Sequence, residues 1–136
     1  MTLLKPDYYY KQSGVIPYSI EQNKMKIILI STINKKKWTI PKGIIEPGLS
    51  ASKSAVKEAY EEAGIKGNIG DSPLGLYRYD KWGSICEVII YPFIVTNLLD
   101  DWPEKHIRER VFVNVNEAEL MIKNKELRKI LKFLAK

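Results

Sequence analysis

Three carboxylates crowd into five consecutive positions of this chain, at Glu58, Glu61 and Glu62. If this segment is a helix, the offsets i, i+3 and i+4 place all three side chains on one face. Like charges at that spacing destabilise a helix by roughly 0.2–0.5 kcal/mol per pair. Carboxylate oxygens are hard ligands that suit Mg²⁺ or Mn²⁺, and a bound divalent ion would relieve the repulsion.

The glutamates alone leave two interpretations open. They also suit an ordinary exposed helix, because Lys57 precedes Glu61 by four residues, the spacing of a helical ion pair. Lys66 follows Glu62 at the same interval. The preceding segment PKGIIEPG, residues 41–48, favours the metal site, because its two glycines let the backbone approach a ligand closely.

The helix that must carry these carboxylates is predicted from Ala51 to Ala63. Ser50 is a good N-cap, and Gly64 suits the left-handed position that follows the last turn. The apolar positions expected to face the core are Ala55, Val56, Ala59, Tyr60 and Ala63. The glutamates then form a separate acidic face.

The rest of the pattern predicts strands on both sides of this helix in the sequence, and further helices at the end. The predicted strands are residues 13–20, 26–31, 73–82, 84–96 and 110–115. Polar residues 21–24 predict a hairpin turn between the first two strands. A short helix is expected from about residue 116 and an amphipathic one from about residue 125. This order indicates an α/β or α+β sandwich with a mixed sheet between helices.

Length and composition set further bounds. The 136 residues suit one domain, with residues 1–11 as an N-terminal arm. Cys86 is the single cysteine, so no intramolecular disulfide is possible, and a cytoplasmic protein is expected. No apolar run reaches the roughly 20 residues of a membrane span. The net charge of +6 favours anionic partners such as phosphorylated molecules.

The stretch from residue 41 to 67, PKGIIEPGLSASKSAVKEAYEEAGIKG, resembles the Nudix box. That motif is Gly, five residues, Glu, seven residues, then Arg-Glu-aliphatic-x-Glu-Glu-x-Gly-aliphatic. The positions that fit this spacing are Gly43, Glu58, Glu61, Glu62, Gly64 and Ile65.

Two positions depart from the motif. Leu49 replaces its first glutamate and Lys57 its arginine. In the family these two residues often form a structural pair that braces the catalytic helix. Because the three helix glutamates of the motif are retained, activity is still expected.

The resemblance implies a Nudix-like α/β/α sandwich and hydrolysis of a nucleoside diphosphate linked to another group. It implies Mg²⁺ or Mn²⁺ bound by the catalytic residues Glu58, Glu61 and Glu62, with Gly43 offering its carbonyl. In the family the general base varies. Glu104 and Glu109 are the candidates outside the box.

The resemblance extends past the box, because residues 35–48, 72–81, 100–112 and 116–131 are similar to diphosphoinositol polyphosphate and dinucleoside polyphosphate hydrolases. This implies a phosphorylated small-molecule substrate, whose phosphates we expect Lys42, Arg108 and Arg110 to bind. Two alternatives stay open: a catalytically impaired nucleotide-binding sensor and an RNA 5′-pyrophosphohydrolase. Nucleic acid is the less favoured partner, because no RNA-recognition motif stands out. The sequence permits a monomer or a homodimer.

Overall fold

The computed structural model describes residues 9–81 and 83–136, and this part of the chain forms eight strands and three helices. The strands are β1 (Tyr9–Glu21), β2 (Lys24–Ser31), β3 (Trp38–Thr39), β4 (Lys42–Ile44), β5 (Ile65–Ile69), β6 (Gly75–Lys81), β7 (Ser84–Leu98) and β8 (Arg110–Asn114). The helices are α1 (Ala51–Ala63), α2 (Val115–Met121) and α3 (Lys125–Leu134). The short strands β3, β4 and β5 were not predicted from the sequence.

The sheet is mixed, as predicted. Its long central strands β1 and β7 are parallel and pair from Tyr9 with Ile85 to Tyr18 with Ile94. The other pairings are antiparallel. The strand order is β3-β2-β1-β7-β5, with β4 added to β1, β6 to β7 and β8 to β2.

The sheet forks along β1. The first half of β1 pairs with β4 at residues 12–14, and its end pairs with β2 at residues 18–21. Between the two branches, the Val15 amide donates to the Pro41 carbonyl at 3.1 Å. The fork therefore places β4, which lies within the glycine-rich segment predicted to bind a ligand, directly beside the central strand.

The helices cover both faces of the sheet, which confirms the predicted α/β/α sandwich. Neighbouring residues of a strand point to opposite faces. Val15 accordingly joins the cluster under α1, whose other members include Ala55, Ala59, Ala63 and Phe93. Ile16 joins the cluster under α2 and α3, together with Ala118, Leu127, Ile130 and Leu131.

The hairpin between β1 and β2 is also confirmed. Its turn residues Gln22 and Asn23 have φ angles of 53° and 66°, as a two-residue type I′ turn requires. Among the described residues, no helix combines the length and apolar character needed to cross a bilayer.

The predicted N-terminal arm of residues 1–11 needs a correction at its end. Residues 9–11 belong to β1, where Tyr10 pairs with Cys86 and Lys11 with Glu87. Tyrosine is a favourable strand residue, and the long partner β7 offers backbone groups that this segment satisfies. The remainder of the predicted arm, residues 1–8, lies outside the described residues.

A pair of leucine truncations tests how α3 is docked. Leu131 is fully buried in the cluster under α2 and α3, whereas Leu120 of α2 is 80% exposed. We expect Leu131→Ala to lower the free energy of unfolding by about 2–5 kcal/mol, because it leaves a cavity. Leu120→Ala should change it by less than about 0.5 kcal/mol. Urea denaturation measures both, and equal effects would contradict the placement of α3.

Candidate active site

Helix α1 has the predicted bounds, and local capping explains both ends. The Ser50 hydroxyl accepts from the Lys53 amide at 3.1 Å. Gly64 adopts the left-handed conformation, with φ of 64°, and its amide donates to the carbonyls of Ala59 and Tyr60. The three glutamates therefore lie in the second half of a helix whose ends are well defined.

The buried face of α1 differs from the prediction. Val56 and Tyr60 are 37% and 41% exposed, whereas Glu62 is only 8% exposed. The helix turns Ala55, Ala59 and Glu62 toward the sheet, at positions i, i+4 and i+7. Alanines let the helix lie close to the sheet, so the larger Val56 and Tyr60 remain outside.

Glu62 is buried together with donors for both carboxylate oxygens. Oε1 accepts from the Lys42 amide at 3.1 Å, and Oε2 accepts from Arg108 Nη2 at 3.2 Å. Burial raises the pKa of Glu62 to about 7, although Arg108 and the Lys42 amide oppose this rise. The carboxylate thus links α1 to β4 and to the segment before β8.

Arg108 acts as a brace in this structure. Its Nε donates to Glu104 at 2.6 Å, and its Nη1 donates to the Ser31 carbonyl at 3.0 Å. With the bond to Glu62, each of its three nitrogens has a protein partner. Its guanidinium also borders the cleft described below, so the phosphate contact predicted for it stays a prediction.

Gly43 lies directly against the carboxylate of Glu58. A Cβ atom at Gly43 would overlap the carboxyl group of Glu58, so any other residue there would require that side chain to move. Burial raises the pKa of Glu58 to about 7, with further contributions from repulsion by Glu62 and Glu61. Within the predicted acidic cluster, Glu58, Glu61 and Glu62, the environment therefore disfavours the ionised form of Glu58 and of Glu62.

These features fit a divalent cation. Carboxylates that repel one another next to a backbone cradle are suitable hard-oxygen ligands. Ser13, the strand partner of Gly43, adds a buried hydroxyl without a hydrogen-bond partner among the described residues. No three His, Cys, Asp or Glu side chains within residues 9–81 and 83–136 converge into a ready metal cage. The assignment of the acidic cluster and Gly43 as ligands therefore stays a prediction.

Of the two candidate bases outside the box, the structure brings Glu104 to the acidic cluster. Its charge raises the pKa of both Glu58 and Glu62. Its amide donates to the Glu61 carbonyl at 3.0 Å. Glu109 has an exposed side chain, and its backbone bonds to Ser31.

Lys57 has a partner that sequence reasoning missed. Its ammonium is 2.7 Å and 2.9 Å from the two carboxylate oxygens of Glu46. The Glu46 amide also donates to the Ser54 hydroxyl of α1 at 3.0 Å. Glu46 therefore ties the loop to the helix, whereas the motif places its acid at position 49. A signal existed, because Glu46 is the one acid in the loop sequence between Gly43 and α1.

A cleft of about 810 Å³ opens on the sheet face that carries α2 and α3. Glu62 borders it, so it adjoins the acidic cluster. Its cationic lining residues are Lys37, Lys42, Lys81, Lys123 and Arg108, and its aromatic ones are Trp38, Tyr77 and Tyr79. This excess of positive charge suits an anionic ligand.

Lys42 lies in the cleft, as its predicted role requires. Its Nζ is 5.2 Å from the centroid of the Tyr79 ring and 3.4 Å from the Thr39 hydroxyl. Burial lowers the pKa of Lys42 to about 8, although Glu62 opposes this effect. The side chain is thus mainly protonated near neutral pH and can attract a phosphate.

Arg110 lies elsewhere. Its guanidinium donates to the Ala63 carbonyl at 2.8 Å and to the Leu99 carbonyl at 3.1 Å. It also stacks on Trp102, with Cζ 4.1 Å from the ring centroid. A cation at the last carbonyls of α1 is stabilising there. This placement argues against the predicted contact of Arg110 with substrate.

Comparison of the sequence with known proteins identifies its family. The NUDIX domain model matches residues 11–134. Nudix hydrolase 12, mitochondrial, from Arabidopsis thaliana is 32% identical over 127 residues, which cover 78% of this chain and 63% of that protein. The human diphosphoinositol polyphosphate phosphohydrolase 3-alpha is 29% identical over 115 residues, covering 83% of this chain and 69% of that protein. This chain thus spans less than two thirds of the plant relative.

The fold is also found in a solved structure. The binary complex of the C. elegans Ap4A hydrolase superposes with a TM-score of 0.80 and covers 93% of this chain and 95% of its own. The two sequences are 22% identical, so this likeness concerns the fold alone.

The pH dependence of stability tests the raised pKa values in the acidic cluster. The pKa of Glu58 and that of Glu62 rise from 4.5 to about 7 on folding. The folded state then binds more protons than the unfolded state in that window, so the free energy of unfolding falls as pH rises through it. In metal-free buffer, Glu58→Gln should therefore lose less Tm than wild type between about pH 5 and about pH 8.

The matched control for this measurement is Glu21→Gln, at an exposed carboxylate beside the hairpin turn. It should keep the wild-type pH dependence. Parallel curves for Glu58→Gln and wild type would contradict a raised pKa at Glu58.

Proposed function

Because the chain belongs to the NUDIX domain family, we propose that it is a metal-dependent pyrophosphohydrolase that cleaves a diphosphate linkage in a phosphorylated small molecule. One observation carries this proposal: the acidic cluster adjoins a cleft lined by cations. Glu62 belongs to the cluster and also borders the cleft, so a phosphate held in the cleft would lie next to the carboxylates.

The acidic cluster and Gly43 would hold Mg²⁺ or Mn²⁺, which when bound neutralises diphosphate charge and lowers the pKa of water. The protein residues supply the positioning. Lys42 attracts the phosphates, and Arg108 keeps Glu62 in place through their ion pair of 3.2 Å. Hydrolysis of a diphosphate depends mainly on such positioning and on charge stabilisation.

For the substrate, we propose a dinucleoside polyphosphate or a diphosphoinositol polyphosphate. The human relative is named for the second of these classes, and the C. elegans hydrolase for Ap4A. Both classes carry many negative charges, which suits the five cations of the cleft.

The ion pair between Glu46 and Lys57 favours an active enzyme over an impaired sensor. The departures at Leu49 and Lys57 suggested that the brace of the catalytic helix was lost. Glu46 restores an acid for Lys57 from three positions earlier in the loop. The loop that contains Gly43 therefore remains attached to α1.

A substrate panel tests the activity. We expect Mg²⁺-dependent turnover of diadenosine tetraphosphate or of a diphosphoinositol polyphosphate, with 5′-triphosphorylated RNA included as the alternative. Glu58→Gln and Glu62→Gln should each lower kcat by about 100-fold or more, because each removes charge that stabilises the reacting groups. Glu21→Gln, at an exposed site, should keep wild-type turnover. Failure to hydrolyse either small molecule, or full activity of the Glu58→Gln variant, would refute the proposal, and turnover of the RNA alone would favour the alternative.

Moving the carboxylate from position 46 to position 49 tests the role of the ion pair with Lys57. Glu46→Gln should lower kcat severalfold, because Lys57 loses its partner. Adding Leu49→Glu should restore activity, because it returns the acid to the position of the motif. Adding Leu49→Gln instead provides an uncharged control and should restore nothing. If both double variants recovered equally, charge pairing to Lys57 would not be the cause.

A further inference from the structure

Tyr77 carries a hydroxyl group that nothing in the described part of the chain satisfies. Its side chain is 3% exposed, and Oη has no hydrogen-bond partner there. The Thr39 hydroxyl lies near enough to lower the pKa of Tyr77, against the larger effect of burial, but its geometry is not that of a formed hydrogen bond. Thr39 accepts from Lys42 instead. Such a group destabilises the folded protein.

The neighbouring Tyr79, unlike Tyr77, has a hydrogen-bonded hydroxyl group. Tyr79 lies on the same face of β6, and its hydroxyl donates to Gln12 Oε1 at 2.8 Å. The rings of Tyr77 and Tyr79 stack with centroids 6.1 Å apart. Packing alone does not need the Tyr77 hydroxyl, because phenylalanine would fill the same space without an unmet hydrogen bond.

Tyr77 borders the basic cleft, and its surroundings indicate what would meet it. The cleft wall includes Trp38, Ile122 and Leu127 as well as Lys42. A phosphorylated cyclitol would place polar groups against these apolar side chains. A planar heterocycle buries its faces against them and presents hydrogen-bonding groups at its edge.

We propose that Tyr77 is a specificity-determining residue whose hydroxyl donates a hydrogen bond to the heterocycle of a nucleotide bound in the cleft. The inference rests on the proposed function for the phosphate end of the ligand, and of the two substrate classes it selects the nucleotide. Burial raises the pKa of Tyr77 well above its usual value, so the hydroxyl keeps its proton.

The hydrogen bond from Lys42 to Thr39 indicates how a ligand in the cleft would reach the buried Tyr77 hydroxyl. At 3.4 Å this hydrogen bond is long and weak. A phosphate that draws the Lys42 ammonium away would break this bond and let the Thr39 side chain turn, which would open the Tyr77 hydroxyl to the cleft. Phosphate binding and recognition of the heterocycle would then occur together.

The Tyr77→Phe variant tests this proposal through two effects of opposite sign. Without ligand, its Tm should rise by roughly 2–5 °C, because an unsatisfied buried hydroxyl is removed. Its affinity for the best bound of the adenosine, guanosine, cytidine and uridine diphosphates should fall by roughly 3–10-fold. Calorimetric titration in buffer without divalent ions measures affinity with no turnover, so failure of the proposed catalysis would not affect the result.

Two comparisons make the test specific. Inorganic tripolyphosphate has no heterocycle, so wild type and Tyr77→Phe should bind it equally. Tyr91→Phe removes a hydroxyl from a residue packed on the α1 side of the sheet and should bind the nucleotides as wild type does. The proposal is overturned if no nucleoside diphosphate binds more tightly than tripolyphosphate. It is also overturned if Tyr77→Phe keeps wild-type nucleotide affinity, whichever way its Tm moves.

Discussion

The burial of the Glu62 carboxylate between α1 and the forked sheet is the interaction on which the rest of the site depends. A carboxylate removed from water is tolerated only when its oxygens find donors. The Lys42 amide and Arg108 supply them, at 3.1 Å and 3.2 Å. These donors belong to β4 and to the segment before β8, so satisfying one charge fixes three parts of the chain relative to one another. Arg108 extends the same network to Ser31 at the end of β2.

Repulsion among the neighbouring carboxylates opposes the burial of Glu62. The Gly43 backbone lies against Glu58, and burial and neighbouring carboxylates raise the pKa of Glu58 to about 7. Without a cation, the protein must partly protonate this group or accept repulsion within α1. The packing of the alanine face of α1 on the apolar cluster beneath it offsets the cost of this repulsion. A divalent cation bound among these carboxylates would relieve their repulsion.

The sequence predicted the bounds of α1 well because helix capping is local. It failed where the outcome depends on distant partners. By residue type, Val56 and Tyr60 suit the apolar face of a helix and Glu62 does not. Glu62 is nevertheless the buried residue, because it finds hydrogen-bond donors 20 and 46 residues away in the sequence. Arg108 and Arg110 are identical in type and two positions apart. One braces the acidic cluster and the other caps α1, a difference that only tertiary structure decides.

Lys42 and Gly43 connect the two functions of the site. Adjacent residues of a strand face opposite sides of the sheet. The Lys42 side chain therefore lies in the cleft beside Tyr79, while Gly43 meets Glu58 under α1. The Lys42 amide at the same time holds Glu62. A displacement of this short strand would move the phosphate-attracting ammonium, the backbone cradle and the buried carboxylate together. The fold thus sets the position of the ligand and the geometry of the acidic cluster through a single strand, β4, which is itself held at the fork of β1.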